Sequence, residues 1–318
     1  MFTRILGTGS YLPETVRSNA DLERMVETSN EWIVERTGIS ERRIAADDET
    51  VSTMGAIAAR RAFEAASVDA SEIDMVICAT TTSQNAYPSA ACEISGLLGI
   101  SNVPAFDVAA ACAGFSFAYA TAHSMIMSGQ ARKILVIGSD VMSKACNPKD
   151  RTTIILFGDG AAACVLGASD TKGTLAVHLS SDAKYGPLLT LPFPKRGDFK
   201  GDDAWLYMKG NDVFRHAVTI LADLVTVTLK KANMTAEDLD FLVPHQANLR
   251  IIAATARKLK LDMDHVIVTL DKQGNTSASS VGLALDEGIR TRRIKRGDVI
   301  LLESFGGGFA WGSALIRY

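Results

Sequence analysis

Short unbroken apolar runs alternate with Ala-rich stretches along the chain, and the pattern is laid down twice. Glu72-Ile73-Asp74-Met75-Val76-Ile77 and Asp238-Leu239-Asp240-Phe241-Leu242-Val243 both read as acidic turns entering buried strands. Phe106-Asp107-Val108-Ala109 leads to Cys112 and a small-residue helical stretch; Val266-Ile267-Val268-Thr269 leads to Asn275 and the stretch Thr276 to Ala284. The strands Lys133 to Ile137 and Asp298 to Leu302 follow, then Phe157-Gly158-Asp159-Gly160 against Phe305-Gly306-Gly307-Gly308, each preceding another apolar strand. Landmarks repeated in one order predict two homologous α/β halves, 1–170 and 171–318, meeting near Ala168 to Gly173. Continuous rather than alternating apolar runs indicate strands covered on both faces of their sheets. Lys195 to Asp203, charged and glycine-rich, has no counterpart and reads as a surface loop, and Ser139 to Leu156 is longer than its partner segment.

Composition narrows the class. The 318 residues suffice for about two domains, and 47% hydrophobic against 22% charged residues is the balance of a globular protein. A net charge of -3 gives no electrostatic reason to expect a nucleic-acid partner. The five cysteines are scattered without a CxxC pair, which suggests neither a disulfide framework nor a zinc site and fits a reducing compartment. Without a visible signal peptide, and with Asp107 interrupting the longest apolar tract, the expectation is a cytoplasmic protein that does not span a membrane.

Candidate chemistry sits where strands give way to helices. Cys112, in Ala109-Ala110-Ala111-Cys112-Ala113-Gly114-Phe115, falls at a predicted helix N-terminus, where the dipole and free N–H groups favour thiolate over thiol. The repeat sets Asn275 opposite it, and His245, in Pro244-His245-Gln246-Ala247-Asn248, also follows a strand. Cys78 and Cys164 lie inside strands and read as small buried hydrophobes; His123, His178, His216 and His265 have no metal-ligand spacing and read as surface or satisfied structural residues. Gly7-Thr8-Gly9-Ser10-Tyr11-Leu12 starts like a dinucleotide fingerprint, but Leu12 stands where the third glycine is needed. Thr28-Ser29-Asn30-Glu31 reads as a capping box opening a helix that Gly38 ends, with Trp32 and Arg36 as neighbours on one face. Leu249 to Leu261 carries Arg250, Arg257, Lys258 and Lys260 without an acid, a helix able to dock an acidic partner.

Together the motifs around Cys112, Pro244-His245-Gln246-Ala247-Asn248 and Gly274-Asn275-Thr276-Ser277 resemble the β-ketoacyl-acyl-carrier-protein synthase III family. The similarity runs from Gly7-Thr8-Gly9-Ser10-Tyr11-Leu12-Pro13 to Trp311-Gly312-Ser313-Ala314-Leu315. The resemblance implies a thiolase-like fold of two pseudo-symmetric halves in a five-layered αβαβα arrangement, a homodimer, and initiation of fatty acid synthesis. It implies that Cys112 takes an acyl group, with acetyl the expected primer, from acyl-CoA, and that His245 and Asn275 assist decarboxylative condensation with malonyl-acyl-carrier-protein. Cys112 and Gly307 would supply oxyanion N–H groups. Trp32, Arg36, Arg151, Gly210 and Asn248 would bind CoA. Gln246, Ala247, Asn248, Leu249, Arg250, Arg215, Arg257 and Lys258 would meet the acyl carrier protein. Tyr87 and Phe305 would shape acyl pockets, Tyr87 that of the partner subunit. No metal and no resident cofactor is implied. Tyr87, where Phe is common, and Thr152, where Gly is common, depart from the family pattern. The same Cys, His and Asn would serve a condensing enzyme for longer acyl groups or a secondary metabolite. A papain-like hydrolase shares their chain order but not its local signature, and a non-catalytic scaffold is the third reading.

Overall fold

The computed structural model describes residues 1–192 and 204–318; the predicted loop Lys195 to Asp203 lies outside the described residues. Nine strands build two sheets. The first contains β1 (Phe2–Tyr11), β2 (Met75–Ala79), β3 (Ala105–Val108), β4 (Lys133–Val141) and β5 (Asp159–Ser169), in the order β1-β5-β4-β2-β3. The second contains β6 (Thr174–Ser181), β7 (Phe241–Pro244), β8 (Val299–Gly306) and β9 (Ala310–Arg317), in the order β7-β8-β9-β6. Read from opposite ends the two orders coincide: β6 answers β1, β9 answers β5, β8 answers β4 and β7 answers β2. The fifth strand is where they part. The predicted strand at 266–269 is a single bridge between Leu242 and Val266, because the Gln246 side chain takes over the ladder. Its amide donates to the Ile267 carbonyl at 3.1 Å and accepts from the Thr269 N–H at 2.9 Å.

Helices α1 (Asn30–Thr37), α2 (Val51–Ala66), α3 (Gly114–Met127), α4 (Gly210–Lys231), α5 (Leu249–Lys258) and α6 (Ser280–Arg290) supply the layers. Between the sheets, Phe115, Ala118 and Tyr119 of α3 and Val281, Ala284 and Leu285 of α6 pack with Ile77, Val136, Ile300 and Leu302. Outside the first sheet α2 buries Met54, Ala58, Ala59 and Ala62; outside the second α4 and α5 bury Val225, Leu229, Ile252 and Ala256. The result is the expected αβαβα sandwich. Small residues set its spacing: a Cβ at Gly7 or Gly9 would lie 2.3 Å from α2 backbone atoms, so these glycines sit inside β1 to admit a helix rather than a nucleotide.

One buried acid opposes this packing. Glu303 in β8 is fully buried, both carboxylate oxygens lack a partner, and burial pushes its pKa up from 4.5 to about 8. Between those values the unfolded chain gives up the proton while the native chain keeps it, so stability falls as pH rises from about 4.5 to about 8. The urea midpoint of Glu303→Gln is expected to gain on the parent as pH rises through that window. A gap between them that ignores pH would contradict the assignment.

Candidate active site

After β3 the chain enters a 3-10 turn, Ala111–Ala113, that runs directly into α3. Ala111 has φ 45°, a left-handed conformation unfavourable for alanine, and this aims the next residue, Cys112, at a cavity. The second half repeats the construction with Ser277 at φ 53°, the turn Ser277–Ser279 and α6. The element-for-element partner of Cys112 is therefore Ala278, and Asn275, its partner in the sequence reading, lies three residues earlier. The thiolate expectation is also corrected. Burial pushes the Cys112 thiol up to about 12, and a hydrogen bond from Ser277 and its own backbone N–H pull it back by less. Burial is the largest of these influences, so the Cys112 side chain rests as a thiol.

Gly306 closes on the same turn. A Cβ there would lie 2.6 Å from the Cys112 nitrogen and 3.0 Å from that of Ala113, both backbone atoms that cannot step aside. With no side chain at 306, nothing covers the Cys112 nitrogen from that side, and Cys112, Phe305 and Gly307 line the cavity. Gly306→Ala is expected to push the Cys112 turn out of place, slowing acylation of Cys112 about 100-fold, the usual cost of an oxyanion donor, and lowering the melting temperature. Unchanged acylation would show that this N–H is not used.

His245 follows β7 and faces α6. Its backbone N–H donates to the Glu303 carbonyl at 2.7 Å, and its Nδ1 lies 2.5 Å from the Ser280 hydroxyl. Burial alone pushes its pKa down to about 3, so the imidazole is neutral at physiological pH. Because a hydroxyl gives or takes a hydrogen bond, Ser280 holds either tautomer and leaves Nε2 as acceptor or donor. Asn275 is clamped from behind: its N–H donates to Leu156 at 2.8 Å and its carbonyl accepts from Gly158 at 3.0 Å. Arg42, fully buried, steadies that segment by donating to the Ile155 carbonyl at 2.7 Å. The Asn275 Oδ1 accepts from the Ser277 N–H at 2.9 Å, which leaves the Nδ2 protons for the cavity.

Cys112, His245 and Asn275 line one cavity of ≈ 1570 Å³. Trp32, Arg36, Gly210 and Asn248 line it further out, and guanidinium carbons of both Arg36 and Arg151 lie 4.7 Å from the Trp32 ring centroid. Cation–π attraction thus assembles a flat, positively charged platform from α1 and the Arg151 segment. The helix beneath it is capped by Ser29, whose hydroxyl accepts from the Trp32 N–H at 3.2 Å, rather than by the predicted Thr28–Glu31 box. Tyr87 is 80% exposed and stands off this chain's own cavity, while its neighbour Ala86 lines it.

Of the residues expected to meet the carrier protein, Arg250, Arg257, Lys258 and Arg215 are exposed, Arg250 lying over the Phe214 ring and Arg215 paired with Asp212. Gln246 does not join them: it is fully buried and spent on the strand ladder described above. Leu249 turns inward against Gly38 at the end of α1, and Ala247 and Asn248 are half-buried, Asn248 capping α5 by accepting from the Arg250 N–H at 2.8 Å. Sequence reasoning missed Ser277 and Ser280, hidden in the run Ser277-Ala278-Ser279-Ser280, and the cavity wall Thr80-Thr81-Thr82. The repeat would have found the serines had Cys112 been set against Ala278.

A cysteine on a strand-to-helix turn, sharing one cavity with a neutral His and an Asn from the other half of a doubled αβαβα fold, is the arrangement of a thiolase-type condensing enzyme, an acyltransferase. Residues 106–183 match the family model of 3-oxoacyl-acyl-carrier-protein synthase III, and residues 229–318 that of its C-terminal part. The chain belongs to the β-ketoacyl-acyl-carrier-protein synthase III family. It is 58% identical to the Shewanella oneidensis protein of that name over all of both chains. Among solved structures, the 3-oxoacyl-acyl-carrier-protein synthase III of Aquifex aeolicus matches with TM-score 0.95 at 42% identity, over 99% of this chain and 100% of that one. That of Pseudomonas aeruginosa matches with TM-score 0.95 at 38% identity, over 100% and 98%. No helix among the described residues is long and apolar enough to cross a membrane.

Proposed function

We propose that Cys112, His245 and Asn275 carry the two half-reactions by which the enzyme starts fatty acid synthesis, with acetyl-CoA as first substrate. In the first, the Cys112 sulfur attacks the thioester carbon of acyl-CoA. Its proton passes through the His245 Nε2 to the departing CoA sulfur, leaving acyl-Cys112 and CoA. The N–H groups of Cys112 and Gly307 bear the charge of the tetrahedral intermediate. In the second, malonyl-acyl-carrier-protein loses CO2, and the electron pair of the broken bond moves into the thioester as an enolate. His245, now donating from Nε2, and the Asn275 Nδ2 stabilise that oxygen. The carbanion attacks the acyl carbon, the C–S bond breaks to leave the Cys112 thiolate, and that thiolate takes a proton from water as 3-oxoacyl-acyl-carrier-protein leaves. A thioester intermediate is stable yet reactive, and neutral donors suffice for the enolate, so this chemistry calls on no metal or resident cofactor.

The observation that carries the reading is the meeting of the three residues in one cavity whose outer wall holds Trp32. There Trp32, Arg36 and Arg151 would grip the nucleotide of CoA, with Gly210 and Asn248 along the pantetheine and Phe305 at the acyl end. Arg215, Arg250, Arg257 and Lys258 would steer the acidic carrier protein through a salt-sensitive contact. Exposed Tyr87, beside the cavity wall, supports a homodimer in which it reaches the partner's acyl pocket. The sheets, built from 2–169 and 174–317, support division into halves 1–170 and 171–318. Five free cysteines fit a cytoplasmic setting.

Incubation with acetyl-CoA and malonyl-acyl-carrier-protein is expected to release CoA and CO2 and form 3-oxobutanoyl-acyl-carrier-protein. Turnover of longer acyl-CoAs with acetyl-CoA inert would move the reading to the longer-chain condensing enzymes. Equal use of free malonyl-CoA would remove the carrier protein from it.

A further inference from the structure

The two halves repeat their elements residue for residue around the site. With β4 aligned on β8 and α3 on α6, Cys112 answers Ala278, Gly114 answers Ser280, Ala79 answers His245, and Asp140 answers Gly306. Each 3-10 turn packs over the end of the central strand of the opposite half, so each half offers one backbone N–H at the start of its turn. In the first half this is the Cys112 N–H, facing bare Gly306. In the second it is the Ala278 N–H, and the Asp140 Oδ2 accepts from it at 3.0 Å.

Asp140 is fully buried and pairs with no cation among the described residues. Its Oδ1 accepts instead from the Thr82 hydroxyl at 2.8 Å, the Thr81 N–H at 2.9 Å and the Thr80 hydroxyl at 3.1 Å. Thr80, Thr81 and Thr82 form part of the wall of the cavity that holds Cys112. On the other side, the Ala278 N–H belongs to the turn whose Ser277 N–H fixes the Asn275 Oδ1. One carboxylate thus ties the wall from the first half to the Asn275 turn from the second. A buried anion is tolerable there because converging N–H and O–H donors replace water.

We propose that Asp140 is a positioning residue for the condensation step. Its carboxylate fills, in the second half, the anion hole that Gly306 leaves open beside Cys112 in the first, and so holds the Asn275 turn against the cavity wall. The doubled fold makes two such holes, one kept for the reacting oxygen and the other occupied from within. This rests on the assignment of Asn275 to decarboxylation, and it separates the half-reactions. No hydrogen bond ties Asp140 to the Cys112 turn or to Gly306, and it reaches Cys112 only through its charge and through Ser277, whereas the Ala278 N–H that it holds belongs to the turn that fixes Asn275. The donor geometry of Asn275 therefore suffers more, and small misplacements of such groups cost up to about 100-fold.

The test compares the parent with Asp140→Ala and Asp140→Asn, measuring acylation of Cys112 by acetyl-CoA, condensation with malonyl-acyl-carrier-protein, and thermal melting. Condensation is expected to fall at least tenfold further than acylation in both variants. Added formate, a carboxylate small enough for the vacated hole, is expected to restore condensation several-fold in Asp140→Ala and not in Asp140→Asn, whose amide still fills the space. Equal loss in both half-reactions, or no rescue by formate, would overturn the proposal. Should Asp140→Ala not fold, Thr82→Val removes one donor to Asp140 together with the acceptor of the Val141 N–H, and the same split at about threefold is expected; equal rates there would also overturn it. A parent enzyme that forms no acyl-Cys112 would defeat the reading of the reaction itself, whereas a normal parent beside an unaffected Asp140→Ala defeats only the role of Asp140.

Discussion

Replacing Cys112 by alanine is expected to abolish acyl transfer from acetyl-CoA, lowering overall turnover about 10⁴-fold or more, as loss of a covalent nucleophile does. The expectation follows from the geometry of one turn. Strained Ala111 aims Cys112, α3 begins two residues later, and Gly306 keeps its N–H uncovered. The same turn explains why the other cysteines do not substitute. Cys78 and Cys164 are locked inside strands without access to the cavity, Cys146 is buried apart from it, and Cys92 is exposed. Because burial pushes the Cys112 thiol up to about 12, its reactivity toward a simple alkylator at neutral pH is expected to be modest and to rise with pH, and acylation by acyl-CoA is expected to be faster than the thiol's basicity alone allows. Residual acyl-enzyme in Cys112→Ala, located elsewhere by peptide mapping, would contradict this.

His245→Ala is expected to lower condensation about 1000-fold and Asn275→Ala about 100-fold, the range for loss of a donor to a developing oxyanion. The two differ because, in the proposed reaction, Asn275 acts in one half-reaction and His245 in both. Asn275→Ala leaves acylation of Cys112 nearly intact, whereas His245→Ala slows it as well, through loss of the proton route to CoA. The pH dependence follows from the depressed pKa of His245. With the imidazole neutral down to about pH 3, condensation by a preformed acyl-enzyme is expected to show no inflection near pH 6.5, where an ordinary histidine titrates. Folding pays for this neutrality: below about 6.5 the unfolded chain gains a proton that the native chain refuses, so stability drops as pH falls from there toward 3. Single-turnover rates on acetylated enzyme between pH 5.5 and 8 decide the matter, and a step near 6.5 would mean that the histidine protonates during the reaction.

Much of this architecture is legible in the sequence because both sheets are buried on both faces. Runs such as Ile134 to Ile137 and Ile300 to Leu302 must then be continuously apolar, and their repetition exposes the doubled fold. Cys112, His245 and Asn275 stand out for a related reason: each is a reactive or hydrogen-bonding side chain soon after a predicted strand, Cys112 within a run of small residues. What stays hidden is substitution of one kind of bond for another. Gln246 reads as a polar surface residue, yet it supplies side-chain hydrogen bonds where a fifth strand would otherwise continue. Asp140 lies unmarked in the Ser139 to Leu156 segment, and only the packing of β4 beneath the turn of the other half reveals its partners. The protonation of Cys112 is hidden as well. A helix N-terminus is visible in sequence, but the burial that pushes the thiol up is a property of the folded core.

The central claim, that acyl groups pass through Cys112 on their way to a carrier-bound malonyl group, is tested most directly by trapping. The purified enzyme is incubated with acetyl-CoA alone, the adduct is located by peptide mass spectrometry, and the isolated acyl-enzyme is then given malonyl-acyl-carrier-protein. An acetyl group on Cys112, discharged as 3-oxobutanoyl-acyl-carrier-protein with loss of CO2, is the expected result. Product formed without an acetyl-Cys112 peptide, or an adduct that malonyl-acyl-carrier-protein does not discharge, would contradict it.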